Sequence, residues 1–300
     1  MASSRRRPTH AGSWYSDSGD ALSKELASWL GKADVSRHKP ARAIIAPHAG
    51  YRYSGACAAY AYKQIDPTRV KRVFILGPSH HAYLPGCALS SAKVYDTPLY
   101  PLNVDQQIYA ELKTTGLFET MSLDVDEDEH SIEMHLPYVA KVMQSHKGAF
   151  TVVPVLVGAL DVDGEKKYGA AFSKYLLDPD NLFVISSDFC HWGKRFKFTH
   201  YDKSYKHIYQ SIEALDRQGM DLIASCDADG FAKYLKQFRN TICGRHPIGV
   251  LLRAVQTLKQ KDPSTIEISF LKYAQSSQVT DTSDSSVSYA SAALSINKQA

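Results

Sequence analysis

A single α/β domain, with a mostly parallel central sheet flanked by helices, is the fold class this sequence predicts. Three observations carry it. Short apolar, β-branched runs recur, each closed by proline, glycine or serine. Helix-length segments alternate with them. Residues able to do chemistry follow directly on several of the runs. Strands buried on both faces read as continuous apolar runs, and strand–helix alternation marks βαβ units.

The elements follow in order. Ser18 caps a helix over 18–30, with Leu22, Leu26, Trp29 and Leu30 on one face. Strand-like runs lie at 41–46, ended by Pro47 and Gly50, and at 72–76, ended by Gly77-Pro78. Two more lie at 152–157, ended by Gly158, and at 182–185, ended by Ser186-Ser187-Asp188. Helices are expected over 55–63, 104–115, 131–144, 166–177, 208–218, 231–238 and 247–259. The last begins near a proline, where a missing N–H costs little. Residues 266–273 and 286–296 read as strands with no helix between them, an antiparallel pair around a Ser/Thr/Asp-rich loop. No repeat or linker divides the chain. Residues 9–300 therefore read as one domain behind a flexible basic tail, 1–8.

Composition narrows the function. A 300-residue chain with 44% hydrophobic and 22% charged residues buries enough surface to fold without disulfides or a structural metal. A metal site here is free to serve function. The net charge is only +4, and the one dense basic run, Arg5-Arg6-Arg7, reads as a solvated tail. No basic stripe with interleaved aromatics suggests a nucleic-acid partner. Five cysteines without CxxC spacing form neither a disulfide framework nor a four-cysteine zinc site. No run is long enough to span a membrane, and no apolar stretch behind the arginines makes a secretory signal. A cytoplasmic, or also nuclear, protein is expected. P-loop, GxSxG and GxGxxG motifs are absent.

In an open parallel sheet, ligands bind at the carboxyl ends of the strands. The first run leads into Pro47-His48-Ala49-Gly50-Tyr51, the second into Gly77-Pro78-Ser79-His80-His81, and the fourth into Ser187-Asp188-Phe189-Cys190-His191-Trp192. A fourth piece, Cys243-Gly244-Arg245-His246-Pro247, precedes a helix. One histidine after a strand reads equally as a cap or a packing residue; the constellation favours a site. Imidazole and thiolate together suit iron, copper or zinc. Helix-end N–H groups and nearby histidines are expected to lower the pKa of Cys243, and Gly244 to give the backbone freedom to aim it. Cys57, Cys87 and Cys226 fit buried packing cysteines. Cys190, beside Asp188 and His191, stays open between the two roles.

A second cluster runs from Asp126 to His135. Its acidic first half suits a helix N-terminus with no function needed. His130 and Glu133 share a helical face but lack zincin spacing. His130, Glu133 and His135, with His81, Cys190 and His246, are candidates to support the ligands, a structural role being the main competitor.

The motifs RPTHAGSWY, ARAIIAPHAGY, FILGPSHH, DEDEHSIEMHLPY, ISSDFCHW and TICGRHPIGVLL closely resemble the Memo family, named for mediating receptor-tyrosine-kinase-driven cell motility. The resemblance runs from about Thr9 to the C-terminus and includes YAQSSQ and SSVSYA. It implies a fold similar to class III extradiol dioxygenases, non-haem iron enzymes with two histidines and one glutamate on the metal. It maps the histidines onto His48 and His80 and the third ligand onto Cys243. The carboxylate-to-thiolate change argues against ring cleavage, because a soft ligand shifts metal preference and potential. The resemblance implies iron or copper binding and promotion of reactive-oxygen production. It also implies an adaptor role towards phosphotyrosine segments of a receptor or towards signalling adaptors, with Trp14, Tyr53, Asp188 and His191 in that pocket.

Two functions thus compete. One is a mononuclear iron or copper redox protein, with His48, His80 and Cys243 as ligands and Asp188 and His191 orienting them or relaying a proton. The other is a phosphotyrosine-peptide adaptor on a vestigial pocket. The sequence lacks the clustered arginines of phosphotyrosine readers, which favours the first. A cysteine hydrolase using Cys243 with His191 or His246 is a distant third.

Overall fold

The computed structural model describes residues 4–34, 40–261 and 265–297. One mixed sheet organises the chain. Across it run His191–Trp192, Ser286–Asn297, Ala43–Ala46, Asn181–Ser186, Arg72–Pro78, Thr151–Val157, Cys87–Ser90 and Phe118–Met121. The four strands from Ala43–Ala46 to Thr151–Val157 are mutually parallel, with Ala46 opposite Ser186 and Leu76 opposite Ile185. Their side chains, such as Ile44, Phe74, Val153 and Val184, are fully buried. That is why the sequence shows unbroken apolar runs here rather than alternation.

Antiparallel pairs flank this parallel centre. Ser286–Asn297 pairs with both Ala43–Ala46 and Thr265–Gln275, and its first residues pair with His191–Trp192. The expected terminal hairpin is thus present, with a register shift between Phe270 and Lys272.

Chain direction decides where the helices lie. Ala43–Ala46 reaches Arg72–Pro78 through helix Tyr51–Tyr62, and Thr151–Val157 returns to Asn181–Ser186 through Val162–Leu177. Two right-handed crossovers running in opposite directions across a sheet place their helices on opposite faces. Tyr51–Tyr62 packs with Gly19–Lys32 and Leu136–Val142, and Val162–Leu177 packs with Arg245–Lys259. The three adjacent strands Ala43–Ala46, Asn181–Ser186 and Arg72–Pro78 end side by side, and their carboxyl ends carry His48, Asp188 and His80. Among the described residues, no helix is long and apolar enough to cross a membrane.

Three sequence expectations need correction. The basic tail is built into the fold from residue 4 onward; residues 1–3 lie outside the described part. Arg5–Arg6 pairs in parallel with Val94–Tyr95, and Arg6 is completely buried against Asp126 and Glu133. A buried guanidinium needs such partners, and they lie 120 and 127 residues away in sequence. The expected helix over 131–144 is split into His130–Glu133, Leu136–Val142 and a 3-10 turn, Gln144–His146. Pro137 has no N–H to offer the Glu133 carbonyl, so the ladder stops there and restarts. Short strands such as Cys87–Ser90 and Phe118–Met121 are additional to the predicted ones.

Candidate functional site

At the carboxyl edge lies an open pocket of about 780 Å³, lined by His48, His80, His81, His130, Asp188 and His191. The exposed Arg52, Tyr53 and Arg195 stand at its mouth, and Trp14, Ser276, Ser277, Ser285 and Ser286 also line it. One ligand atom each from His48, His80 and Cys243 lies within 4.8 Å of the others, and the same holds for Asp188, His191 and Cys243, and for His80, Glu129 and His130.

Hydrogen bonds fix how His48 presents its ring. Ser186 Oγ donates to the Ser131 carbonyl at 2.7 Å, so the same oxygen accepts from His48 Nδ1 at 2.6 Å. Nδ1 therefore carries the ring proton, and the Nε2 lone pair faces Cys243 Sγ at 3.1 Å. Burial, then the neighbouring histidines, pushes the His48 pKa well below its usual value, so the ring is neutral. His191 Nδ1 donates to the carbonyls of Phe189 and Thr241, 2.9 and 3.1 Å away, which leaves its Nε2 uncommitted.

Asp188 grips the loop carrying His48. Its Oδ1 accepts from the N–H groups of His48 at 2.9 Å and Ala49 at 3.3 Å, and its Oδ2 lies 3.9 Å from His48 Nε2. Burial raises its pKa despite these bonds and nearby His191.

Cys243 sits just before helix Arg245–Lys259 and accepts from the Asp188 N–H at 3.2 Å. The expected lowering of its pKa is not found. Burial, then the Asp188 carboxylate, pushes the thiol well above its usual value, outweighing the backbone donors. Its Sγ lies 3.1 Å from His48 Nε2 and 3.5 Å from the Asp188 carbonyl oxygen. Gly244 also acts differently from expectation. Its φ is an ordinary −83°, but a Cβ there would lie 2.3 Å from the Ser186 carbonyl oxygen. Close approach, not backbone freedom, requires glycine.

The acidic segment divides between two tasks. Glu133 accepts from Arg6 at 2.6 Å, from the His10 N–H at 2.9 Å and from Tyr15 at 2.7 Å; these outweigh burial and hold its pKa at about 2. It anchors the N-terminal segment instead of facing the pocket. Glu129, a residue the sequence reading did not single out, lies 2.9 Å from His80 Nδ1 and 3.5 Å from His130 Nδ1. His130 stacks on His80 with ring centroids 4.5 Å apart, and burial, then His80, lowers its pKa to about 3. Trp14 packs on His130, also at 4.5 Å, while Tyr53 is half exposed at the mouth.

Besides Glu133, three of the supporting candidates stand apart from the pocket lining. Cys190 is buried with Trp192, Ile208, Ile212 and Val279. His246 pairs with Glu165 at 3.0 Å in a different groove. His135 is buried, its Nδ1 2.8 Å from the Tyr62 hydroxyl. Arg52 and Arg195 were missed because neither lies in a recognisable motif; only the fold brings them to one mouth.

Fold and pocket together define an α/β protein with a His–His–Cys–Asp constellation at the carboxyl edge of its parallel strands. Comparison with known proteins gives the family. The family model described as Memo-like protein matches residues 6–293, and the chain belongs to that family. It is 62% identical to Protein MEMO1 of Xenopus laevis and 60% identical to Protein MEMO1 of Homo sapiens, each over 97% of this chain and 98% of the relative. It is 49% identical to the Protein memo-1 homolog of Caenorhabditis elegans, over 97% of this chain and 83% of that protein.

Proposed function

We propose that the pocket holds one iron or copper ion on His48, His80 and Cys243, and that the protein is a cytoplasmic redox metalloprotein. It promotes reactive-oxygen production within the receptor-linked signalling and motility that the family resemblance implies. The observation that carries this reading is the convergence of two imidazoles and a thiol within 4.8 Å, with His48 Nε2 already unprotonated and aimed at the sulfur. A mixed nitrogen and sulfur donor set suits copper or iron and disfavours hard cations.

When bound, the ion supplies one-electron exchange with dioxygen-derived species. The chain's residues supply the rest. Ser186 holds the ring of His48, and Asp188 holds its backbone. The Cys243 proton leaves on binding, so affinity falls at low pH. His191, its Nδ1 committed to two carbonyls, offers Nε2 as a proton acceptor or donor at the pocket wall. Protein purified without an affinity tag should carry one equivalent of iron or copper, and Cys243→Ser should lose both the metal and the superoxide formation. A wild-type protein that binds neither ion overturns the reading.

A second reading rests on its own observation: Arg52 and Arg195 line the mouth beside Trp14 and Tyr53. A cationic, aromatic rim suits a phosphotyrosine segment of a receptor, with the pocket serving as an adaptor site. Replacing both arginines by alanine should then abolish phosphopeptide binding and leave metal content intact. Phosphopeptide affinity that survives the double replacement contradicts it.

A further inference from the structure

We propose that Glu129 is a positioning residue that sets the tautomer and direction of the His80 ring, and so makes His80 competent to bind a metal. The inference deepens the metal reading and rests on it for its consequence, but its structural content stands alone.

Glu129 grips His80 twice. Its Oε2 accepts from the His80 backbone N–H at 2.6 Å, and its Oε1 lies 2.9 Å from His80 Nδ1. Oε1 also accepts from the Ser131 N–H at 2.9 Å. Two backbone donors aimed at the carboxylate fix it as an acceptor, so the ring nitrogen facing it must carry the proton. Nδ1–H then leaves the Nε2 lone pair, away from Glu129, as the ring atom free to ligate, and His80 groups with His48 and Cys243 within 4.8 Å. The carboxyl is itself enclosed: Glu129 is 2% exposed, and its backbone carbonyl accepts from Arg6 at 2.9 Å. His48 reaches the same tautomer by a different device, its bond to Ser186. A carboxylate behind a ligating imidazole also raises ligand basicity, and losing such a partner typically costs about 10- to 100-fold in metal affinity.

A merely structural role is the competing explanation, because Glu129 caps the short helix His130–Glu133. Asp126 supplies the comparison: it is equally buried and bound to Arg6 and Tyr95, and it makes no hydrogen bond to His80. The test reads the ring directly. In metal-free wild-type protein, ¹⁵N–¹H correlation of the histidine rings should show His80 protonated at Nδ1. In Glu129→Gln, whose amide can turn its NH₂ towards the ring, His80 should shift to the Nε2–H form. Affinity for Cu(I) should fall about 10- to 100-fold. Asp126→Asn should leave the His80 tautomer unchanged. An Nε2–H form in wild type overturns the proposal whether or not any variant folds. So does an unchanged tautomer in Glu129→Gln, or an equal shift in Asp126→Asn. Wild-type protein that binds no metal defeats the metal reading instead, and leaves the tautomer result to stand or fall by itself.

Discussion

Replacing Arg6 by methionine should destabilise the whole domain, although the residue stands in what reads as a disposable basic tail. Its guanidinium is completely buried. It donates to the Asp126 carboxylate at 3.2 Å, to the Glu133 carboxylate at 2.6 Å, and to the carbonyls of Arg7, Asp126 and Glu129. Methionine fills much of the volume but leaves two buried acids without their cation. Breaking a buried pair this way costs about 3–5 kcal/mol. The lower end applies, because both acids keep other donors. Asp126 retains Tyr95 at 2.6 and 2.8 Å, and Glu133 retains His10 and Tyr15. Burial also already raises the Asp126 pKa, so that carboxyl can take up a proton. A loss of about 3 kcal/mol, with a urea m-value of about 3 kcal/mol/M, moves the midpoint down by about 1 M. Tryptophan fluorescence and far-ultraviolet circular dichroism should both report it. The exposed neighbour supplies the control: Arg5→Met should leave the midpoint in place. If Arg6→Met shifts the midpoint no more than Arg5→Met does, the buried-clamp argument is wrong.

Other outcomes follow from the same geometry. Asp188→Ala removes the acceptor holding the backbone of His48 and should cost about 10- to 100-fold in metal affinity; an unchanged affinity and an unchanged superoxide rate would remove Asp188 from the site. Gly244→Ala forces a Cβ against the Ser186 carbonyl and Ser187, so Cys243 must move; metal affinity should drop sharply, and retention of full affinity would refute the packing argument. Burial raises the Asp216 carboxyl to about 6 despite bonds from Asn240 and Tyr273. The folded state holds this proton more tightly than the unfolded chain, so the contribution is full below about pH 4 and is lost as pH rises through 6. It amounts to about 3 kcal/mol and should be missing from the pH–stability profile of Asp216→Asn, whereas an identical profile would refute it.

Much of the site was legible in the sequence because three neighbouring strands each deliver their chemistry at the first residues past the sheet. His48, His80 and Asp188 follow apolar runs that could only be central strands, and the parallel order sets those ends side by side. Local reading failed where meaning depends on distant partners. Arg6 reads as solvated until Asp126 and Glu133 arrive from more than a hundred residues away. Glu129 reads as one of four acids suiting a helix start until His80 is laid against it. Cys190 and His191 are adjacent in sequence, yet they divide between an apolar cluster and the pocket. The Cys243 pKa depends on burial, which a helix-end argument does not contain.

The central claim is that Cys243 is a metal ligand, and a pair of serine replacements tests it most directly. Cys57 lies buried in helix Tyr51–Tyr62, 3.8 Å from Ser291 Oγ, and among the described residues it belongs to no cluster of potential metal ligands. Serine is nearly isosteric with cysteine, but its neutral hydroxyl is a poor ligand for a soft ion. Competition titration with a Cu(I) chelator should show Cys57→Ser binding one ion as tightly as wild type. Cys243→Ser should lose most of that affinity while its thermal unfolding stays near wild type. Cu(I) bound equally tightly by wild type and Cys243→Ser would contradict the account.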